Sequence, residues 1–108
     1  MTTLTFSLRG DDIIAVSVEG HAGYAESGED IVCAGISALV QMVDCQLYML
    51  ETDADMSVDE ETARIMIKVG NKEAITKAQL PLHALMVVAK SWQEEYTDFI
   101  SVQEVKLL

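Results

Sequence analysis

Two runs of alternating residues constrain the fold of this chain most strongly. Apolar and polar side chains alternate in residues 3–9 and again in residues 13–19, on either side of a Gly10-Asp11-Asp12 turn. Alternation with a period of two is typical of a half-buried strand, and the turn joins the two runs as an antiparallel hairpin. We expect the following side chains on its core face: Leu4, Phe6 and Leu8, then Ile14, Val16 and Val18.

A helical period replaces the alternation after residue 30. Apolar residues then recur at intervals of three and four, which is typical of a helix with one buried face. They are Ile36, Leu39, Val40, Val43, Leu47 and Leu50. The helix is expected to begin within residues 28–31, with Ser27 or Asp30 supplying the cap, and to end near residues 50–52.

The second half of the chain contains the same kinds of element. Met56 and Val58 alternate on one side of the acidic turn at residues 59–62, and apolar residues alternate again after it, which predicts a second hairpin. A second helical stripe follows: Leu82, Leu85, Ala89, Trp92 and Tyr96. Pro81 lies ahead of that stripe and predicts a break or a kink in the helix.

The last strand is expected from about Phe99 to Lys106. Ile100 and Val102 share one face but Val105 falls on the other, which predicts a bulge or burial on both sides. The element order is therefore β-β-α-β-β-α-β. It predicts one α+β domain over residues 1–108, in which two helices pack on one mixed β-sheet.

The net charge and the cysteines limit the classes of function expected for this chain. Seven basic and 18 acidic residues give a net charge of −11, which disfavours nucleic-acid binding and either favours a basic partner or serves only solubility. No run of 18 apolar residues and no positively charged signal region is present, so we expect no membrane span and a cytoplasmic location. Cys33 and Cys45, about 18 Å apart along one helix, are too distant for a disulfide.

The interval from His21 to Cys33 is the strongest candidate for chemistry. His21 follows the second predicted strand, and Cys33 falls in the first or second turn of the predicted helix. The partial positive charge of a helix N-terminus favours the thiolate, and its unpaired N–H groups stabilise an oxyanion. His21 is placed to take the thiol proton and pass it to a leaving amine. The pattern predicts a cysteine endopeptidase.

Several assignments stay open on the residues alone. Asp30 either orients His21 or serves only as the helix cap. Cys33 is either a nucleophile or an inert core cysteine. If it is inert, the chain is a non-catalytic acidic module that binds a basic partner. Cys45 is expected in the core and His83 in a surface or structural role, without a metal site. The residues expected to form a mobile loop are Ala22, Gly23, Tyr24, Ala25, Glu26, Ser27 and Gly28.

These motifs resemble one known family. Gly20-His21-Ala22, Gly28, Asp30-Ile31-Val32-Cys33-Ala34 and Ser37-Ala38-Leu39 are similar to the signature of the Prp family of bacterial ribosomal-processing cysteine proteases. The resemblance implies that Cys33 is the nucleophile and His21 the general base, and that the 22–28 loop moves to admit a peptide. It further implies a homodimer without a cofactor. The implied substrate is a basic precursor, the twenty-seventh protein of the large ribosomal subunit, whose N-terminal extension is removed.

Overall fold

The computed structural model describes residues 1–20 and 30–107. This part of the chain contains five strands and two helices in the predicted order. They are β1 (Thr2–Arg9), β2 (Asp12–Glu19), α1 (Ile31–Met49), β3 (Ala54–Asp59), β4 (Arg64–Val69), α2 (Lys72–Glu95) and β5 (Ile100–Leu107). The predicted α+β class and element order are confirmed.

The strands form one mixed sheet in the order β3-β4-β2-β1-β5. β1 pairs with β5 in parallel, while the pairs β1–β2, β2–β4 and β3–β4 are antiparallel. α1 and α2 pack on one face of this sheet, and the core lies between the two layers. The helix α2 makes the crossover that lets β5 return parallel to β1, as a parallel connection requires.

The first hairpin contains a bulge that the alternation did not reveal. Leu4, Phe6 and Leu8 are buried as predicted, but on β2 the fully buried residue is Ile13, whereas Ile14 is only partly buried. The pairing register shifts between Ser7 and Leu8, which leaves Ile14 as the extra residue. An extra residue reverses the facing of every earlier side chain on its strand, so the prediction of Ile14 as a core residue was wrong.

The side chain of Gln79 stabilises this bulge. Its Nε2 donates to the carbonyl oxygen of Ile13 at 2.9 Å, and its Oε1 accepts from the Ile13 N–H at 2.8 Å. Both main-chain groups are partly buried, and leaving them unpaired would cost free energy. One polar side chain on α2 therefore replaces the strand pairing that the bulge interrupts.

Helix α2 continues through Pro81, so of the two outcomes expected there the break was wrong and the kink stays a prediction. A proline inside a helix removes one hydrogen bond and costs about 3 kcal/mol. Pro81 is itself buried, and Leu82, Leu85 and Ala89 beyond it are buried in the core. Burial of that apolar stripe, as predicted, offsets the cost.

The last strand is regular. β5 pairs with β1 without a shift from Thr2–Ile100 to Arg9–Leu107. Val105 and Leu107 lie on the open face of the sheet, where 43% and 40% of their surfaces are exposed. The change of face at Val105 therefore reflects two apolar residues on the uncovered face of the sheet. Both the predicted bulge and the predicted two-sided burial were wrong.

Helix α1 has the predicted limits and two incorrectly predicted residues. Its core-facing residues are Val32, Ile36, Val40, Val43 and Leu47. Cys45 is exposed, contrary to the prediction of a core position, and Leu50, predicted on the buried face, is 45% exposed just beyond the helix end. By length and composition alone α1 is apolar enough to cross a membrane, a property that core helices of soluble proteins share.

Candidate active site

The start of α1 fixes the position of Cys33. Asp30 precedes the helix with an extended backbone, and its Oδ1 accepts a hydrogen bond from the N–H of Cys33 at 2.9 Å. The N–H of Ala34 donates to the carbonyl oxygen of Asp30 at 3.0 Å. Asp30 is therefore the helix cap, one of the two alternatives left open by the sequence, and Cys33 is the third residue of the helix. A further role of Asp30 in orienting His21 stays a prediction.

Cys33 packs against the core and also opens onto a cleft. It is half-buried, is not part of a disulfide, and lines a cleft of about 260 Å³ between α1 and the ends of the strands. The floor of the cleft is mainly apolar and its rim carries three charged side chains. The lining includes Val18, Ile36, Val58 and Ile65, together with Asp59, Glu60 and Arg64.

Gly20, at the end of β2, lines the same cleft. Its φ is +86°, and a Cβ at this position would lie 2.6 Å from the carbonyl oxygen of Met1, so the position requires glycine. Its N–H donates to the carbonyl oxygen of Ala63 at 3.0 Å. The chain therefore leaves β2 from a fixed point at the cleft.

The predicted general base, His21, and the predicted loop of residues 22–28 lie outside the described residues. Their neighbours in sequence, Gly20 and Asp30, are described, and Gly20 shares the cleft with Cys33. The other histidine, His83, lies at the opposite end of β2, where its Nε2 is 3.2 Å from the carbonyl oxygen of Asp11. This contact agrees with the structural role predicted for His83.

Sequence reasoning missed one wall of the cleft. The β3–β4 hairpin contributes Val58, Asp59, Glu60 and Arg64 opposite α1. Within its turn Asp59 Oδ1 accepts from the N–H of Glu61 at 3.0 Å. The sequence predicted the acidic turn itself. Its place beside Cys33 depends on the pairing of β4 with β2, which no local pattern reveals.

A close contact between the two helices lies next to Cys33. A Cβ added at Gly35 would lie 2.6 Å from Cη2 and 2.8 Å from Cζ3 of Trp92. The Trp92 ring also packs edge-on against Tyr96, with 6.4 Å between the ring centroids. Glycine costs about 1 kcal/mol relative to alanine inside a helix. Here it allows an aromatic ring to contact the backbone of the turn that follows Cys33.

Gly35→Ala is expected to destabilise the protein despite the better helix propensity of alanine. Overpacking typically costs about 1–3 kcal/mol, which exceeds the gain of about 1 kcal/mol in propensity. Chemical denaturation of Gly35→Ala, Trp92→Leu and the double variant measures the coupling. The double variant should lose less stability than the sum of the single variants, since leucine makes room for the methyl group. Additive losses would contradict the contact.

A half-buried cysteine in the first turn of a helix, opening onto a cleft beside a strand end, is an arrangement that cysteine-dependent hydrolases use, and comparison with known proteins identifies the class. Residues 1–101 match the family model described as cysteine protease Prp. The chain belongs to the Prp family of cysteine proteases.

Individual relatives agree with this assignment. The ribosomal processing cysteine protease Prp of Bacillus subtilis is 28% identical over 83% of this chain and 84% of its own length. The Prp of Staphylococcus aureus is 34% identical over 79% and 80%. A crystal structure of the essential S. aureus Prp with a covalently linked product peptide has a TM-score of 0.87 at 27% identity, covering 96% of this chain and 99% of that one. A second, with a substrate peptide, has a TM-score of 0.82 at 26% identity and the same coverage.

Proposed function

We propose that this cysteine protease removes the N-terminal extension of a large-subunit ribosomal protein, the twenty-seventh of that subunit. The observation that carries the proposal is the shared cleft: the Cys33 thiol and Gly20, the residue before His21, line the same space. The relatives in B. subtilis and S. aureus are named ribosomal processing proteases. The solved S. aureus structures contain a substrate or a product peptide, which supports a peptide as the substrate here.

In the proposed reaction Cys33 is the nucleophile and His21 the general base. His21 takes the proton from the Cys33 thiol, and the Sγ atom attacks the carbonyl carbon of the scissile peptide bond. As the tetrahedral intermediate collapses, the C–N bond breaks and the protonated His21 donates its proton to the leaving amine. Water, deprotonated by His21, then hydrolyses the thioester, and Cys33 recovers its proton.

The cap limits which amides can stabilise the oxyanion. The N–H of Cys33 already donates to Asp30 Oδ1. The N–H groups of Ile31 and Val32 precede it in the first turn, where a helix provides no intrahelical acceptor. These two amides are the candidate donors to the negatively charged oxygen. Asp30 thus holds the turn in place, and the turn presents both the thiol and the donors.

Charge supports a basic substrate. The chain has a net charge of −11, and Asp59 and Glu60 lie on the rim of the cleft that contains Cys33. Ribosomal proteins are basic because they bind RNA, so a negative field raises the rate of encounter with them. We expect these two carboxylates to contact lysine and arginine residues of the bound peptide.

The proposal includes a cytoplasmic homodimer. Neither cysteine is part of a disulfide, as is usual for proteins of a reducing compartment. The family resemblance supports a dimer. The proposed substrate is assembled into ribosomes in the cytoplasm, which supports a cytoplasmic location for the enzyme.

The purified enzyme should cleave the extended precursor once, at a single bond that mass spectrometry identifies. Because charge steers the encounter, kcat/KM for this basic substrate should fall about tenfold or more between low and high salt, as screening shortens the range of the field. A matched peptide in which glutamine replaces each basic residue is the control and should respond little to salt. Equal salt responses would contradict electrostatic recognition, and an uncleaved precursor would contradict the substrate.

A further inference from the structure

The two edge strands of the sheet, β3 and β5, differ in how their outer edges are covered. Side chains of α2 cover the edge of β5. Gln93 Oε1 accepts a hydrogen bond from the N–H of Val102 at 2.6 Å, and Lys90 Nζ lies 3.1 Å from Glu104 Oε2. An uncovered edge is a template for pairing with another chain, so proteins usually protect it. No described residue covers the outer edge of β3 in this way.

The hydrogen bonds of β3 show which of its main-chain groups face outward. The N–H of Gly70 donates to the carbonyl oxygen of Asp53 at 2.7 Å, and the antiparallel pairing of β3 with β4 continues from there without a shift. In such a pair every second residue bonds to the neighbouring strand, and the residues between them point their N–H and C=O groups away from it. The outward groups are therefore those of Ala54, Met56 and Val58, which we call the β3 edge.

The β3 edge leads directly into the cleft that contains the nucleophile. Val58, at one end of the edge, lines this cleft together with Cys33 and Ser37 of α1, and 58% of its surface is exposed. From Ala54 to Val58 the edge is about 13 Å long, at about 3.3 Å per residue, which is enough to pair with about five residues of another strand. A peptide strand that paired with this edge would therefore continue into the cleft at Cys33.

We propose that the β3 edge binds the substrate segment next to the cleaved bond as an additional strand of the sheet. The inference rests on the proposed peptide substrate and names how the same site binds it. Main-chain hydrogen bonds to an edge strand supply affinity, and alternate side chains supply specificity. Met56 packs against the core and Val58 lines the cleft, while Asp55 and Asp59 alternate with them on the open face of the sheet. Neighbouring side chains on one face contact each other, so the bound segment alternates apolar residues toward the helices with basic residues toward the open face.

Charge favours a basic peptide over a second copy of this chain at the β3 edge. β3 contains Asp55 and Asp59 and no lysine or arginine, and Glu60 and Glu61 follow in the turn. Like charges on adjacent strands destabilise a sheet, whereas opposite charges stabilise it. Two β3 strands side by side would bring carboxylates together, while a basic peptide brings lysine or arginine beside them. The edge therefore discriminates against pairing with itself and in favour of the proposed class of substrate.

Amide hydrogen exchange, resolved by NMR, tests the pairing in the Cys33→Ala enzyme with an excess of a peptide that spans the proposed cleavage site. Exchange at Met56 and Val58 should slow at least about tenfold, because a bonded amide must open before it exchanges. Met56 decides the test, since it does not line the cleft. The outward amides of Glu104 and Lys106 on β5 are the matched control and should not change. Unchanged exchange at Met56, or equal slowing on both edges, would overturn the proposal. Slowing without peptide that grows with protein concentration would overturn it in favour of a second copy.

A proline on each edge gives a second readout. Val58→Pro removes an outward N–H and keeps the bonds to β4, since proline is tolerated where the N–H of an edge strand faces outward. For the same peptide kcat/KM should fall at least about fivefold, mainly through KM, because the lost hydrogen bond serves bound substrate and transition state alike. Lys106→Pro, the same change on β5, is the matched control and should cleave like the wild type. Wild-type kcat/KM in Val58→Pro would overturn the proposal. A peptide that the wild type leaves uncleaved would contradict the proposed substrate, whereas the exchange of Met56 still decides the edge.

Discussion

Replacing Cys33 by alanine is expected to lower kcat/KM for the precursor by at least about 10³-fold, as loss of a catalytic nucleophile does in other hydrolases. The physical reason is that the acyl-enzyme route requires the Sγ atom, which here opens into the cleft from the first turn of α1. Mass spectrometry of the precursor over time measures the loss.

Cys45→Ala is the matched control for this prediction. Cys45 is the second cysteine of the same helix and is exposed, but it does not line the cleft. Cleavage of the precursor by Cys45→Ala should therefore resemble cleavage by the wild type. If Cys33→Ala kept wild-type cleavage, the thiol would not be the nucleophile. The non-catalytic module that binds a basic partner would then regain support.

His21→Ala is expected to lower kcat/KM by about 10²–10⁴-fold, the range that general acid–base catalysis contributes. Without the imidazole, the reaction loses the group that we propose takes the thiol proton and later protonates the leaving amine. Iodoacetamide needs no general acid, so a fixed-pH alkylation rate of Cys33 separates the two roles. A slower alkylation would show that His21 helps to form the thiolate, beyond its effect on the leaving amine.

The matched control is His83→Ala. His83 lies at the other end of β2 and contacts the carbonyl oxygen of Asp11, so its loss should affect stability slightly and leave kcat/KM near the wild-type value. Full cleavage by His21→Ala, or an equal loss in both histidine variants, would remove His21 from the mechanism.

Local patterns predicted most elements because strand and helix periods are properties of neighbouring residues. The limits of α1 and the stripe of α2 were confirmed. The predictions failed where distant contacts decide the outcome. Gln79 of α2 bonds both main-chain groups of Ile13 at the bulge, 66 residues away in sequence. The helix crosses Pro81 because the residues beyond it are buried in the core.

Some features of the candidate site were likewise predicted from the sequence, and others were not. The types and spacing of His21, Asp30 and Cys33 predicted a nucleophile at a helix start, and the cap confirmed Asp30 as the residue that begins the helix. The cleft wall at Asp59 and Glu60, which faces Cys33, was not predicted. The sequence of a turn does not show which other strand its hairpin pairs with. The predicted core position of Cys45 was wrong because it rested on the residue type alone, whereas Cys45 lies off the apolar stripe that α1 buries.

The sequence by itself determined the element order, the α+β class and the residues with reactive chemistry, because these depend on side-chain type and on periods of two or 3.6 residues. The tertiary structure alone decided that β4 lies beside β2, that the β3–β4 hairpin forms a cleft wall with Cys33, and that Trp92 packs on Gly35. These features arise when the two layers bury their apolar faces together, which joins residues far apart in the chain.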